Sequence, residues 1–198
     1  MLQKKTKTTA NAPQAVRIIG GRWKRTPLPV PHKPGLRPTP NRVRETLFNW
    51  LGQDLSGWRC ADVFAGSGAL GLEAASRGAA QVTLVEQDAQ LVANLQRVCT
   101  PLQATGVSVQ RGDGLAALRA CSGLDVVFLD PPFESGPAVF EQALRAAAGA
   151  IAPEGWVYLE SPQPWGAEPL APLGLVPHKA GRAGAVHFAL LAKAPALG

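Results

Sequence analysis

The residues best equipped for chemistry stand in Asp130-Pro131-Pro132-Phe133, which closes the apolar run Val126-Val127-Phe128-Leu129. Each proline fixes its own φ and neither can continue a ladder, so the turn after Asp130 is stiff. Asp130 brings carboxylate oxygens, the carbonyls of Asp130 and Pro131 add further acceptors, and Phe133 adds a flat apolar face. That set suits a planar substrate carrying an amino group.

A second group lies upstream. Asp62-Val63-Phe64-Ala65-Gly66-Ser67-Gly68-Ala69-Leu70-Gly71 reads as a strand end, a glycine loop and a helix start. The glycines let the backbone pass close to a ligand, and amides at a helix start favour its polar or anionic groups. Gly66-x-Gly68-x-x-Gly71 also fits the dinucleotide fingerprint, so a nicotinamide oxidoreductase stays open on this loop alone. Glu86 ends the next strand, where an acid can accept both hydroxyls of a ribose. Asp113, in Gly112-Asp113-Gly114, follows the strand after that and is placed to meet an adenine amino group. Asp62 separates the cofactors. A carboxylate two residues before the loop repels a pyrophosphate but can hold an amino-acid ammonium. S-adenosylmethionine carries a ribose, an adenine and an amino-acid tail, and no phosphate.

These residues need a scaffold that gathers strand ends. Strands are expected at Cys60–Phe64, Val82–Glu86, Val107–Gln110, Val126–Leu129 and Trp156–Glu160, with helices at Leu70–Arg77, about Ala89–Val98, Leu115–Ala120 and Phe140–Ala150 between them. Strict alternation argues an α/β fold with a doubly wound, mostly parallel sheet, whose ligands sit at the carboxyl ends of the strands. Gly174–His178 and Ala185–Leu191 add an antiparallel C-terminal hairpin across Gly181-Arg182-Ala183-Gly184, giving seven strands. Before this body, Val16–Gly21 reads as a short strand and turn, and Pro27–Pro40 as an extended segment. Thr39 is the expected N-cap of a helix with Pro40 in its first turn. Val43, Leu47, Trp50 and Leu51 form that helix's apolar stripe, leaving Arg42 and Arg44 to face solvent or a phosphate. The resulting division is a disordered basic tail at 1–15, a basic N-terminal arm and helix at 16–52, and a Rossmann-like body at 53–193.

Charge is divided in the same way. The 198 residues carry a net +6, but residues 1–50 hold eleven lysines and arginines against Glu45 alone, while the remainder holds nine basic and thirteen acidic residues. A +10 arm on a −4 body implies a polyanionic partner met through the arm. Three widely spaced cysteines, Cys60, Cys99 and Cys121, in apolar contexts fit reduced thiols in the cytoplasm. The three histidines form no ligand-spaced cluster, so no metal is expected, and no run reaches membrane-spanning length.

Asp62-x-Phe64-x-Gly66-x-Gly68, Glu86, Asp113 and Asp130-Pro131-Pro132-Phe133 resemble the motif series of class I S-adenosylmethionine-dependent amino-methyltransferases. Arg17-Ile18-Ile19-Gly20-Gly21, Leu36-Arg37-Pro38-Thr39, Arg42-Val43-Arg44-Glu45-Thr46-Leu47-Phe48-Asn49-Trp50-Leu51 and Phe64–Ala74 are similar to the bacterial 16S ribosomal RNA guanine-N2 methyltransferases that modify guanine 966. The resemblance runs from about Val16 to Leu191. It implies S-adenosyl-L-methionine held by Asp62, Phe64, Ala65, Gly66, Ser67, Gly68, Glu86, Gln87, Asp113, Gly114 and Asp130. It implies methyl transfer at Asp130, Pro131, Pro132 and Phe133. It also implies 16S rRNA, in the small ribosomal subunit or an assembly intermediate, met by Arg17, Arg22, Lys24, Arg25, Arg37, Arg42 and Arg44. Amino-methyltransferases of DNA adenine or protein glutamine share the catalytic motifs but not the arm. One departure stands out: the family tends to have a basic-Gly-Arg series after Trp23, and this chain has Lys24-Arg25-Thr26-Pro27.

Overall fold

The computed structural model describes residues 15–34 and 36–195. The expected disordered tail therefore lies outside the described residues, except for Ala15, which already belongs to a strand. Two short strands, β1 (Ala15–Arg17) and β2 (Pro27–Pro29), pair antiparallel and form the arm. Helix α1 (Asn41–Trp50) follows. The body then alternates through β3 (Arg59–Asp62), α2 (Ala69–Ser76), β4 (Gln81–Glu86), α3 (Ala89–Cys99), β5 (Val107–Arg111), α4 (Gly114–Arg119), β6 (Leu124–Leu129), α5 (Pro137–Ala150) and β7 (Ile151–Ser161). A short helix α6 (Ala167–Leu170) leads to the hairpin β8 (Leu175–Ala183) and β9 (Val186–Lys193).

The seven-stranded sheet has the order β5-β4-β3-β6-β7-β9-β8. β3 pairs parallel with both β4 and β6, and only β9 enters antiparallel, against β7 and β8. The expected doubly wound, mostly parallel sheet is what forms. Strand order reverses between β3 and β6, so their connections leave on opposite faces and open a crevice at their carboxyl ends. The two groups of chemical residues read from the sequence flank that crevice.

Each face of the sheet is covered. Leu72, Leu84, Leu95, Val126 and Phe128 share one core with Ile18, Trp23 and Leu28 of the arm and with Val43, Leu47 and Phe48 of α1. Val127, Leu129, Phe140, Leu144, Val157 and Leu170 form the other. The arm therefore shares a core with the sheet instead of standing apart from it. No described helix is long and apolar enough to cross a membrane.

Several local expectations are corrected. Thr39 does not cap α1: Pro40 holds the N-cap position without a side-chain cap bond, and the Thr39 hydroxyl turns to β7. Arg44 does not face solvent; it is fully buried among Val43, Leu47 and Phe48 because a carboxylate of α2 waits for it. The hairpin turns at Gly184-Ala185, and Gly181 lies inside β8 opposite Phe188. A Cβ at Gly181 would stand 2.4 Å from the Phe188 ring, so that glycine makes room for an aromatic and does not mark the turn.

The departure from the family series after Trp23 falls on a demanding backbone position. Arg25 has φ +73°, with its N–H donating to the Ile18 carbonyl at 2.8 Å to close the turn between β1 and β2. A side chain costs roughly 1–2 kcal/mol in that left-handed region, whereas glycine sits there freely. Allowing for the extra unfolded-state freedom of glycine, Arg25→Gly is expected to stabilise the fold by about 0.5–1 kcal/mol. Urea unfolding checks this; a stability loss would show that the Arg25 side chain outweighs the strain.

Candidate active site

Four acids converge on the crevice. Asp62 ends β3, Glu86 ends β4, Asp130 follows β6, and Glu160 lies near the end of β7. Leu129 pairs with Leu159, which sets Asp130 and Glu160 side by side on neighbouring parallel strands. Asp130 is half-buried, Pro131 is buried and Pro132 exposed. Phe133 begins a single 3-10 turn, half-buried against the α5-side core, so its ring stands at the rim. Burial, then the charges of Glu160 and Asp62, holds the Asp130 carboxyl well above the usual carboxylate range.

The glycine loop is built by the acids around it. Asp62 is 2% exposed, and its Oδ2 accepts from the Gly71 amide at 2.9 Å. Burial pushes its carboxyl up to about 7, with Glu86 and Glu160 adding to the rise and the Gly71 and Phe64 amides opposing it. Its Oδ2 ties the loop to α2. Glu86 stays half-buried. Its Oε2 accepts from the Gly66 amide and its Oε1 from the Asp88 amide, both at 3.0 Å, leaving one lone pair on each oxygen. Asp113 is exposed and caps α4 through Oδ1, bonded by the Leu115 and Ala116 amides at 2.7 and 3.0 Å. Its Oδ2 takes no hydrogen bond among the described residues.

The glycines are required by contact as well as by turn. A Cβ at Gly71 would lie 2.2 Å from Leu84, and one at Gly114 2.2 Å from the Val63 carbonyl. Close approach of α2 to β4 and of α4 to the loop explains both. Ala65, Ser67 and Gly68 are buried, Phe64 and Gly66 half-buried, and Gln87 exposed with its carbonyl accepting from Arg111. Of the expected cofactor positions, then, Glu86, Asp113 and Asp130 retain free acceptor capacity, while Asp62 and the small residues shape the loop. These three acceptors, spaced along successive strand ends, fit a ribose, an exocyclic amine and a cationic centre.

The arm reaches the crevice at two levels. Lys33 pairs with Asp88, the N-cap of α3. Leu36 packs over Gly66, its methyl 3.1 Å from where a Cβ there would be, and a cavity of about 310 Å³ lies among Val30, Pro31, His32, Lys33, Pro34 and Leu36. Deeper in, Glu73 on α2 is fully buried and accepts four donors: the Ile19 and Gly20 amides at 2.8 Å each, Arg77 Nε at 2.9 Å and Arg44 Nη1 at 3.4 Å. Arg44 Nη2 also donates to the Arg17 carbonyl and to Asn41. Neither Glu73 nor this use of Arg44 was read from the sequence. A lone acid inside the apolar helix Ala69–Ser76 is the signal that was there. Of the seven basic residues expected to meet a polyanion, Arg17, Arg22, Lys24, Arg25, Arg37 and Arg42 are exposed and Arg44 is not.

The comparisons with known proteins agree with this geometry. The family described as Conserved hypothetical protein 95 matches residues 16–192, arm and body together. The chain belongs to this family. It is 44% identical over 149 residues to Ribosomal RNA small subunit methyltransferase D of Escherichia coli K12, covering 74% of each chain. The Haemophilus influenzae protein of the same name is 43% identical over 158 residues, covering 77% of this chain and 82% of its own length. Among solved structures, a candidate methyltransferase of Escherichia coli, yhhF, superimposes with a TM-score of 0.79 at 36% identity, over 91% of this chain and 99% of its own. Family membership with such relatives leaves the nicotinamide reading of the glycine loop without support.

The Glu73 anchor makes a prediction of its own. Glu73→Ala leaves the Arg44 guanidinium buried without its counter-charge and two arm amides without acceptors. Breaking a buried pair from one side costs about 3–5 kcal/mol. Chemical unfolding should show a loss of that size, with proteolysis of residues 16–40 preceding global unfolding. A loss below about 1 kcal/mol would mean that the arm is held by its apolar residues alone.

Proposed function

We propose that this chain transfers a methyl group from S-adenosyl-L-methionine to the exocyclic N2 amine of a guanine in 16S rRNA, guanine 966 by family resemblance. The observation that carries this reading is Asp130 at the reversal point of the sheet, held between a rigid Pro131-Pro132-Phe133 turn and a glycine loop with acids at successive strand ends. An exposed basic arm beside the crevice supplies the polyanion surface. The substrate form is the small ribosomal subunit or an assembly intermediate, and the setting is the cytoplasm.

The residues fit the cofactor by their chemistry. Glu86 would accept the ribose hydroxyls, Asp113 Oδ2 the adenine amine, and Asp130 with the loop would border the amino-acid end. When bound, S-adenosylmethionine supplies a methyl group on a positively charged sulfur. Clustered acids with raised proton affinity suit a cationic ligand, because a nearby positive charge restores their ionised form.

The guanine amine is a weak nucleophile, since its lone pair is delocalised into the ring. Asp130 accepts a hydrogen bond from that amine, together with a main-chain carbonyl of the turn, and turns the lone pair out of the ring plane. As the N–CH3 bond forms, the S–CH3 bond breaks with its electron pair left on sulfur, and the nitrogen becomes cationic. Asp130 stabilises that charge and takes the proton released when the amine returns to neutrality. Positioning and preorganised charge account for most of such a rate enhancement. Phe133 stacks on the base once it has left its normal surroundings.

Radiolabelled methyl transfer to small-subunit RNA tests the reading. Asp130→Ala is expected to lower the rate on the order of 100-fold or more, with Asp130→Asn, which keeps an oxygen acceptor, in between. An Asp130→Ala protein working at the wild-type rate would contradict it. The arm is tested separately by salt dependence. Replacing Arg37 and Arg42 by Ala should weaken RNA binding and flatten the log–log salt slope by roughly 0.7–0.9 per lost phosphate contact. Arg44→Ala should instead lower stability. Equal salt slopes in the double variant and the wild type would remove these arginines from the interface.

A further inference from the structure

Glu160, which closes the expected strand Trp156–Glu160 and is placed to wall the pocket, is the fourth acid of the crevice. It is 3% exposed, near the end of β7, beside Asp130 on β6. A single oxygen, Oε1, accepts both the Thr39 hydroxyl at 2.6 Å and the Tyr158 hydroxyl at 2.9 Å. Tyr158 is itself fully buried, edge-on to Phe128, so one donor is fixed by the core. The other belongs to the arm: Thr39 ends the Leu36-Arg37-Pro38-Thr39 segment that crosses the glycine loop. Burial raises the proton affinity of Glu160, and the bonds from Thr39 and Tyr158 oppose that rise, because both favour the anion. Nothing in the bonding of Glu160 requires Asp130 as a neighbour, yet the strand register sets the two side by side.

We propose that Glu160 is a positioning residue for the methyl-transfer step: held as an anion by Tyr158 and by the arm's Thr39, it keeps Asp130 basic enough to accept the amine proton. This rests on the proposed function of Asp130 and deepens it. The titratable groups facing Glu160 are Asp130 on β6, Tyr158 on β7 and Asp62 on β3, with Glu86 on β4 next to Asp62; the arm contributes the uncharged Thr39. Burial raises the proton affinity of Glu160 and its two hydrogen bonds pull it back down, while burial and then the Glu160 charge raise that of Asp130. With two hydrogen-bond donors of its own, Glu160 is the better placed of the two acids to carry a shared negative charge. Removing the Glu160 charge therefore lets Asp130 ionise at lower pH and leaves it a weaker base. Because Thr39 is part of the arm, docking of RNA on the arm and the charge state beside the reacting amine share one hydrogen bond.

The test is the pH dependence of single-turnover methyl transfer with cofactor and RNA both saturating. Glu160→Gln keeps an acceptor for Thr39 and Tyr158 but not the charge. Its acidic limb is expected about one unit or more below the wild-type limb, with a lower plateau rate. Thr39→Val, which removes one donor, should move the limb in the same direction, and Thr39→Ser should restore it. Should Glu160→Gln fail to fold, the Val and Ser variants decide alone. Limbs coinciding with the wild type in both Glu160→Gln and Thr39→Val, or in Thr39→Val alone where Gln does not fold, would overturn the inference and leave Glu160 a tie between arm and strand. Failure of the underlying reading looks different. It appears as wild-type activity in Asp130→Ala or as no transfer to RNA by the wild type.

Discussion

The arm, α1 and α2 are held in one arrangement by the buried carboxylate of Glu73. Its oxygens take the Ile19 and Gly20 amides of the arm, the Arg44 guanidinium of α1 and the Arg77 guanidinium of its own helix. An isolated buried carboxylate is strongly disfavoured, and so is an isolated buried arginine. Burial pushes the proton affinity of Arg44 down, Glu73 pushes it back up, and Arg44 Nε is left without a partner. Neither charge is stable in place without the other. α2 is also the helix that Asp62 ties to β3 through the Gly71 amide, so the arm and the glycine loop share one element.

That constraint explains the shape of the arm. Gly21 adopts φ +73° with no room for a Cβ, which would stand 1.9 Å from the Ser76 carbonyl. Ser76 in turn accepts the Trp23 amide at 2.9 Å and donates to the Gly20 carbonyl at 2.6 Å. The Arg17-Ile18-Ile19-Gly20-Gly21 series is therefore a docking surface for α2. The side chains of Arg22, Lys24 and Arg25 around it stay exposed. Motif and charge serve separate ends within one short segment.

The period of the sequence made most of the fold legible. Apolar runs closed by Glu86 and Asp130 marked strand ends, and alternation with helices marked the parallel sheet and its crevice. What stayed hidden was long-range polar bonding. Arg44 is charged and off the apolar stripe, so local pattern put it in solvent; only the acid of α2 makes its burial tolerable. Thr39 stands where an N-cap belongs, and a carboxylate more than a hundred residues away competes for its hydroxyl. Gly181 reads as turn chemistry because a sequence does not display the ring of Phe188 across the strand pair. Each miss is a local preference overridden by a tertiary contact.

The central claim is chemical: the acids at the reversal point of the sheet direct a methyl group to an exocyclic amine of guanine. Nucleoside mass spectrometry of small-subunit RNA, after reaction with the protein and S-adenosylmethionine, tests it most directly. The account predicts a single new nucleoside, N2-methylguanosine, at one position. Methyl groups on adenine, on a ring nitrogen or on ribose would contradict it.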